Sequence, residues 1–283
     1  MQVTDGFPPI LLIKEGLIVK HLRILMLGDI VGRPGRLACK SKIRAWRDEL
    51  SLDAVIVNGE NASGGNGLTV RNAGELFESG IDFITTGNHV WKQKDYPDLF
   101  ENYSNVIRPA NYPDGTPGSG WGVIELEDGI RIGVVNLLGQ VFMDPIDSPW
   151  TTVDRIIPEI IEVTPIVIVD FHAEATSERV AMGIYLDGKV TAVLGTHTHV
   201  PSADARILDG GTAYQTDLGM VGPLNGVLGV DSGAILKKFT SCLPVRFEVA
   251  TGDVICHGAV LEADRLSGKA ISIERFERVI ERY

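Results

Sequence analysis

Five short apolar runs in this chain each lead into polar side chains that can bind a metal, and this pattern limits the folds open to the chain. Four of the runs finish with a glycine, the usual stop signal of a buried strand. The polar residues that follow are Asp29, Glu60 with Asn61, Asn88 with His89, His172, and His197 with His199. Open α/β sheets form their sites at the carboxyl ends of their strands. We therefore expect a sheet protein whose strand ends bring these side chains together.

The last of these segments carries the pattern most clearly. Residues 191–194 are predicted to form a buried strand, Gly195 ends it, and His197 and His199 follow one residue apart. In an extended segment the side chains of residues i and i+2 point the same way. Both imidazoles can then bind one metal, or each can bind one of two adjacent metals. Two exposed loop histidines would look the same in isolation, but the recurrence of the pattern favours a metal site.

The donor atoms of these residues indicate the kind of metal. They are oxygen and nitrogen atoms without sulfur, and such a set suits manganese, iron, zinc or cobalt better than copper(I) or an iron–sulfur cluster. Two metals about 3.5–4 Å apart need a ligand that reaches both, which a carboxylate can do. We expect two divalent or mixed-valence ions, iron or manganese first, with zinc, cobalt or magnesium as alternatives. His21 and His257 lack this setting and are interpreted as ordinary histidines.

The remaining sequence predicts a β-α-β-α-β start followed by further strands, and therefore an α/β (α+β) fold with a mixed sheet and helices on both outer sides. Helices are predicted at 34–50, 69–79, 91–103 with a break near Pro97, 152–162 and 176–186. The first helix is predicted to bury Leu37, Ile43, Trp46 and Leu50. Hairpins are predicted around Asp128-Gly129, across 206–217 and around 266–269, the last with a frayed, charged end. Residues 219–233 are predicted to be a glycine-rich loop, and 239–248 and 254–262 strands.

The composition fits one large globular domain and limits its partners. Thirty-seven acidic against 26 basic residues give a net charge of −11, and the basic residues are dispersed, so duplex DNA or long RNA is not expected as a partner. A small phosphate ester stays possible because a metal pair would supply local positive charge. The three cysteines, Cys39, Cys242 and Cys256, are too far apart to suggest a disulfide framework or a thiolate zinc site, which fits a reducing cytoplasm.

Residues 22–264 are predicted to form the single domain, with 265–283 as a C-terminal hairpin strand and charged tail. Residues 1–21 are predicted to be an appendage ahead of the first core strand, disordered or packed on the surface, and to arise from an over-extended start codon. Their apolar part, residues 7–19, is too short for a membrane span and lacks the features of a signal peptide. No membrane partner is expected, and a homo-oligomer is left open.

The strand-end segments together resemble the calcineurin-like metallophosphoesterases. Within that superfamily the chain most resembles the YmdB-like phosphodiesterases, a bacterial branch. The segments that carry this resemblance are 28–36 (GDIVGRPGR), 57–62 (VNGENA), 85–91 (TTGNHVW), 108–113 (RPANYP), 169–178 (VDFHAEATSE) and 212–220 (TAYQTDLGM). The resemblance runs from about residue 22 to residue 262, and it implies a four-layer αββα sandwich.

Two departures from the broad superfamily pattern change the expected ligand set. The first strand has Asp29-Ile30-Val31 where the superfamily has Asp-x-His, and Glu60 stands in place of the second aspartate. Both departures fit the YmdB-like branch, which implies Asn61 as the additional donor.

The same resemblance implies which residues hold each metal. Asp29, Glu60, Asn61 and His199 would bind one ion, and Glu60, Asn88, His172 and His197 the other, with Glu60 bridging. A metal-bridging hydroxide would then attack phosphorus in line. His89 is the expected acid that protonates the leaving alkoxide, because its side chain diverges from that of Asn88. Asp170, Glu174 and Asp217 are expected to accept the free N–H of a ligating histidine.

The predicted function is hydrolysis of small phosphodiesters, and the resemblance suggests 2′,3′-cyclic nucleotides such as 2′,3′-cyclic AMP. Two alternatives stay open: a phosphomonoesterase acting on nucleotides or phosphoproteins, and a nucleotide-sensing regulatory protein with weak turnover. The glycine-rich stretch Ser63–Gly67 lacks the Gly-Lys-Ser/Thr of a P-loop and is predicted to be a flexible connection. The long irregular stretch 108–120 is predicted to border the substrate pocket.

Overall fold

A computed structural model describes residues 21–281 of the chain. The predicted N-terminal appendage therefore lies outside the described residues, except for His21, and so do the last two residues. Among the described residues, no helix combines the length and the apolar character that crossing a bilayer requires.

Two six-stranded sheets form the centre of this part of the chain. The first contains β1 (Leu22–Ile30), β2 (Ala54–Asn58), β3 (Phe83–Thr85), β10 (Met220–Pro223), β11 (Val254–Ala263) and β12 (Ala270–Ile280). Its order is β12-β11-β10-β1-β2-β3, with β1 parallel to β2 and β10, and antiparallel to β11. The sheet is thus mixed, as predicted.

The second sheet contains β4 (Trp121–Glu125), β5 (Arg131–Leu138), β6 (Val167–His172), β7 (Ala192–Thr196), β8 (Arg206–Ile207) and β9 (Ala213–Gln215). Its order is β4-β5-β6-β7-β9-β8. The four central strands run parallel, and β4 and β8 pair antiparallel at the two edges. The edge pairs are the two hairpins predicted around Asp128-Gly129 and across 206–217.

The described residues form six helices, of which the first three along the chain pack on the first sheet and the next two on the second. They are α1 (Gly32–Leu50), α2 (Val70–Glu78), α3 (Tyr96–Asn102), α4 (Pro149–Ile161), α5 (Thr176–Tyr185) and α6 (Ser232–Ser241). Alternate residues of β1 show the layering: Leu25 packs in a core with Trp46 of α1, whereas Ile24 packs with Ile168 of the other sheet. A third core joins the second sheet to α4 and α5. The predicted four-layer αββα architecture is confirmed.

Two details of the helix predictions and one strand prediction are wrong. Leu37 is 49% exposed, because it lies two residues, or about 200° of helix rotation, from the buried Cys39. Helix α3 begins at Tyr96, with Pro97 in its first turn, so the proline starts this helix and does not break a longer one. Residues 239–248 are not a strand: α6 runs to Ser241, capped at its start by Asp231, whose Oδ1 accepts from the Ala234 N–H at 2.9 Å.

Residues 219–233 are not all loop as predicted, because Met220–Pro223 form strand β10. Some glycines of this stretch allow close packing and do not only form turns. Strand β10 pairs with β1 at Asp29 and Ile30. A Cβ on Gly28 would lie 2.0 Å from the carbonyl oxygen of Gly219, so only glycine allows the two backbones to approach so closely. The predicted fraying of the C-terminal hairpin is also wrong, since β12 stays paired with β11 up to Ile280.

Candidate metal centre

The carboxyl ends of β1, β2, β3, β6 and β7 converge between the two sheets. Asp29 lies within β1, Glu60 and Asn61 follow β2, Asn88 and His89 follow β3, His172 ends β6, and His197 and His199 follow β7. The structure thus brings together all eight side chains that the sequence predicts. Gly87 makes this approach possible, because a Cβ there would lie 2.3 Å from Glu60 Oε2 and 2.4 Å from His172 Nε2.

One half of the cluster surrounds the ring of His172. Its Nε2 lies 3.2 Å from Glu60 Oε2, 3.0 Å from Asn88 Oδ1 and 3.1 Å from His197 Nδ1. Glu60, His172 and His197 can each offer one ligand atom with all three atoms within 4.8 Å of one another. Carboxylate and imidazole donors at these separations can converge on one cation.

The other half surrounds Asn61. Its Nδ2 donates to Glu60 Oε1 at 3.0 Å and lies 3.1 Å from His199 Nε2. Its Oδ1 lies 2.8 Å from Nδ1 of His89. The two oxygens of Glu60 therefore face different halves, Oε1 toward Asn61 and Oε2 toward His172. This is the arrangement that a bridging carboxylate requires.

Asp29 provides the test of whether a cation fits here. Its side chain is fully buried, and Oδ2 accepts from the His197 N–H at 3.0 Å. Oδ1 has no hydrogen-bond partner among the described residues, and it lies 3.9 Å from His172 Nδ1 and 4.0 Å from His199 Nε2. A buried carboxylate oxygen without a partner is costly, and a metal ion would satisfy it. The residues present fit a bound cation.

Without a metal the buried groups of the cluster shift one another's pKa values, and a cation would have to displace the proton on His172. Burial raises the pKa of Asp29 to about 7, although His199 and His172 oppose the shift. Burial also lowers the pKa of His197 to about 3, aided by His172, so this ring is neutral and keeps a lone pair for a metal. Burial disfavours the protonated form of His172, but the nearby carboxylates of Glu60 and Asp29 outweigh this effect and raise its pKa to about 9. Glu60 has its pKa lowered, since His172 and His89 outweigh its burial.

The segment that carries His197 and His199 is not extended, so the predicted i, i+2 geometry is wrong. Strand β7 ends at Thr196, and the backbone φ angles of His197 and His199 are 111° and 64°. Non-glycine residues at positive φ cost about 1–3 kcal/mol each and persist where the surrounding structure holds them. As a result the two rings face different halves of the cluster, His197 toward His172 and His199 toward Asn61.

Of the three residues expected to support a histidine, only Glu174 lies directly against a ring, with Oε2 3.1 Å from His197 Nε2. Asp170 acts through Thr196, whose Oγ1 donates to Asp170 Oδ1 at 2.7 Å and lies 2.8 Å from His172 Nδ1. Asp217 accepts hydrogen bonds from the N–H and the hydroxyl of Thr198 and forms an ion pair with Arg179. Sequence reasoning missed Thr196, whose place inside the Gly-Thr-His-Thr-His segment was the available signal.

The stretch 108–120 lies beside the segment that follows His89. Tyr112 packs edge-on against Trp91, with ring centroids 5.2 Å apart. Asn111 fixes the stretch to the second sheet by donating to the carbonyl oxygen of Leu138 at 2.8 Å. The position of Tyr112 agrees with the expectation that this stretch borders a substrate pocket, which stays a prediction.

Comparisons with known proteins give a consistent result. A family model described as "YmdB-like protein" matches residues 25–276. The 2′,3′-cyclic-nucleotide 2′-phosphodiesterase of Bacillus subtilis (strain 168) is 46% identical over 254 residues, which cover 90% of this chain and 96% of that protein.

Two crystal structures also match over most of their length. One, from Mycoplasma pneumoniae and described as a novel phosphatase, has a TM-score of 0.87 and 34% identity, and the match covers 93% of this chain and 95% of that one. The other, a hypothetical protein from Thermus thermophilus, has a TM-score of 0.86 and 40% identity, with 91% and 99% covered. With its fold, its strand-end cluster and these matches in agreement, the chain belongs to the YmdB-like protein family.

Proposed function

We propose that this protein is a phosphodiesterase that uses two metal ions to hydrolyse small phosphodiesters, with 2′,3′-cyclic nucleotides such as 2′,3′-cyclic AMP as substrates. The observation that carries the proposal is the convergence of eight side chains with oxygen or nitrogen donors. Asp29 is one of them, and its buried Oδ1 lacks a partner among the residues described. The 46% identity to a 2′,3′-cyclic-nucleotide 2′-phosphodiesterase supports the class of substrate.

The contacts support one assignment of the ligands, in which the amide of Asn61 would turn over so that its oxygen, and not Nδ2, faces the half that contains His199. Asp29, Asn61 and His199 would hold one ion, and Asn88, His172 and His197 the other, with Glu60 shared between them. Glu60 suits the shared role because its two oxygens face the two halves. When bound, the ions supply positive charge for the phosphoryl oxygens and lower the pKa of a coordinated water. Iron or manganese are the first candidates, since the donors are oxygen and nitrogen.

His89 is the residue proposed to donate a proton to the leaving oxygen. Its Nδ1 faces Asn61 Oδ1 at 2.8 Å and Glu60 Oε1 at 3.4 Å, so Nε2 points away from both. The side chain is 31% exposed, which leaves that nitrogen accessible to a substrate. Burial lowers the pKa of His89, so that the ring gives up a proton readily once it carries one.

The deciding experiment measures metal content and turnover on the same sample. Purified protein is analysed for iron, manganese, zinc and cobalt, and is then assayed with 2′,3′-cyclic AMP and with the linear monophosphates 2′-AMP and 3′-AMP. We expect about two metals per chain, hydrolysis of the cyclic diester, and loss of turnover after chelation that added metal restores. Faster release of phosphate from the monophosphates would instead indicate a phosphomonoesterase. Nucleotide binding without metal-dependent turnover would indicate a sensor.

A further inference from the structure

Arg179 is a fully buried cation that the proposed chemistry does not use. It lies in α5, and its guanidinium points beneath the segment that carries His197 and His199. Nη1 donates to Asp217 Oδ2 at 2.7 Å and to the carbonyl oxygen of Thr216 at 3.1 Å. Nη2 donates to the carbonyl oxygen of Thr196 at 3.0 Å and to that of Ala173. One side chain thus binds three backbone carbonyls and a carboxylate.

Asp217 continues the network on its other side. Its Oδ2 also accepts from the N–H of Thr198 at 3.1 Å and from its hydroxyl at 2.7 Å. Its Oδ1 accepts from the Gly219 N–H at 2.7 Å, next to the close contact of Gly219 with Gly28. The buried Arg179–Asp217 pair therefore links α5 to two segments of backbone. One is the segment at Thr196 and Thr198, and the other runs from Thr216 to Gly219.

Three of the positions bound by this pair are immediate neighbours of proposed metal ligands. Ala173 follows His172, Thr196 precedes His197, and Thr198 lies between His197 and His199. His197 and His199 have φ angles of 111° and 64°, which side-chain-bearing residues rarely adopt. A backbone in this conformation needs contacts from outside the segment to hold it, and at Thr196 and Thr198 the pair provides them.

We propose that Arg179 is a positioning residue of the metal centre: paired with Asp217, it fixes the backbone around His172, His197 and His199 so that their rings are held at metal-binding separations. The inference rests on the metal-binding part of the proposed function and is independent of the substrate. A guanidinium suits this role because its planar set of donors can bind four acceptors at fixed angles, whereas a lysine ammonium has three donors at a single point.

The test compares Arg179→Met with Arg265→Met. Arg265 also forms two ion pairs, with the partly buried Asp53 and the exposed Asp128, but these lie at the opposite end of β2 from Glu60. Each protein is stripped of metal, and Mn²⁺ is titrated while the EPR signal of free Mn²⁺ is recorded, at a temperature where circular dichroism shows both variants folded. We expect Arg179→Met to weaken binding at one or both sites about 10- to 100-fold, and Arg265→Met to bind as the wild type does.

Arg179→Lys serves as the conservative variant and should recover only part of the lost affinity. If Arg179→Met binds Mn²⁺ as tightly as the wild type, or if Arg265→Met loses as much affinity, the inference is wrong.

Should Arg179→Met fail to fold, Thr198→Val replaces it, since this change removes only the hydroxyl bond to Asp217. It should weaken Mn²⁺ binding about threefold, within the effect of one lost hydrogen bond, and unchanged binding would overturn the inference. A wild type that binds Mn²⁺ but does not cleave cyclic nucleotides would contradict the proposed substrate and leave this test intact.

Discussion

The Nδ2 atom of Asn61 lies 3.1 Å from Nε2 of His199, a residue 138 positions later in the chain. Asn61 also donates to Glu60 and lies within hydrogen-bond distance of His89. The superfamily pattern that the sequence resembles has a histidine two residues after the first aspartate, whereas Val31 stands at that position here and packs in an apolar cluster with Met220 and Ile255. Asn61 is therefore the polar side chain that joins Asp29's half of the centre to the proposed acid.

Replacing Asn61 with alanine should weaken the half of the centre that contains His199. We expect Asn61→Ala to lower metal content from about two to about one per chain, and to reduce kcat for 2′,3′-cyclic AMP about 10- to 100-fold, because a donor and the anchor of His89 are lost together. Elemental analysis and initial rates on the same sample check this. Full metal content with unchanged kcat would remove Asn61 from the site.

The candidate residues could be predicted from sequence because each lies at, or directly after, the carboxyl end of a buried strand, and parallel strand ends meet at one edge of a sheet. The local geometry could not be predicted in the same way. The positive φ angles of His197 and His199 depend on contacts with Asp29, Asp217 and Leu228 from distant segments. A burial such as that of Arg179 also depends on tertiary contacts, because arginines are rarely buried without partners.

The fold likewise has features that local sequence predicts and features that depend on tertiary contacts. The strongly apolar strands and helices α1, α2, α4 and α5 agree with the sequence prediction within a few residues, since hydrophobic periodicity is a local property. Strand β10 was missed because Gly219 directly before it, which packs closely against Gly28 of β1, looks like a loop residue in sequence, as does Gly222 within it. Residues 239–248 are predicted to be a strand, yet the apolar side chains of Phe239, Leu243 and Phe247 in this stretch are 74%, 58% and 49% exposed. Periodicity predicts burial only where another element covers the apolar face.

The role proposed for His89 predicts a dependence on the leaving group. His89→Ala should lower kcat for 2′,3′-cyclic AMP about 10²- to 10⁴-fold, because the departing alkoxide needs a proton. With bis(p-nitrophenyl) phosphate, whose leaving group is stable as an anion, the loss should be much smaller. Metal content should stay at the wild-type value. Steady-state rates with both substrates measure the contrast.

The matched control for His89→Ala is His21→Ala, which removes an exposed histidine outside the centre. It should leave both rates unchanged. Equal losses on the two substrates for His89→Ala would argue against proton donation and for a structural role of the Nδ1 contact with Asn61.

The three cysteines should differ in their reactivity toward iodoacetamide at about pH 8. Burial raises the pKa of Cys256 to about 12, and burial together with the neighbouring Cys256 raises that of Cys39. A raised pKa leaves these thiols protonated at about pH 8, and the thiolate is the reactive form. Iodoacetamide at that pH should therefore modify the exposed Cys242 and spare the other two. Mass spectrometry of the native protein tests this, with urea-unfolded protein, modified at all three, as the control.

Asp29 should show opposite effects on stability with and without metal. Without metal, its fully buried Oδ1 has no partner among the described residues, so Asp29→Asn should raise the free energy of unfolding by about 1–3 kcal/mol by removing a buried charge. With metal at about 100 times its Kd, the wild type should gain about 2.7 kcal/mol and the variant little, because a ligand that binds only the folded state stabilises it. Urea unfolding of both proteins, with EDTA and with Mn²⁺, measures the four values. If Asp29→Asn destabilised the metal-free protein and responded fully to Mn²⁺, Asp29 would be a structural residue and not a metal ligand.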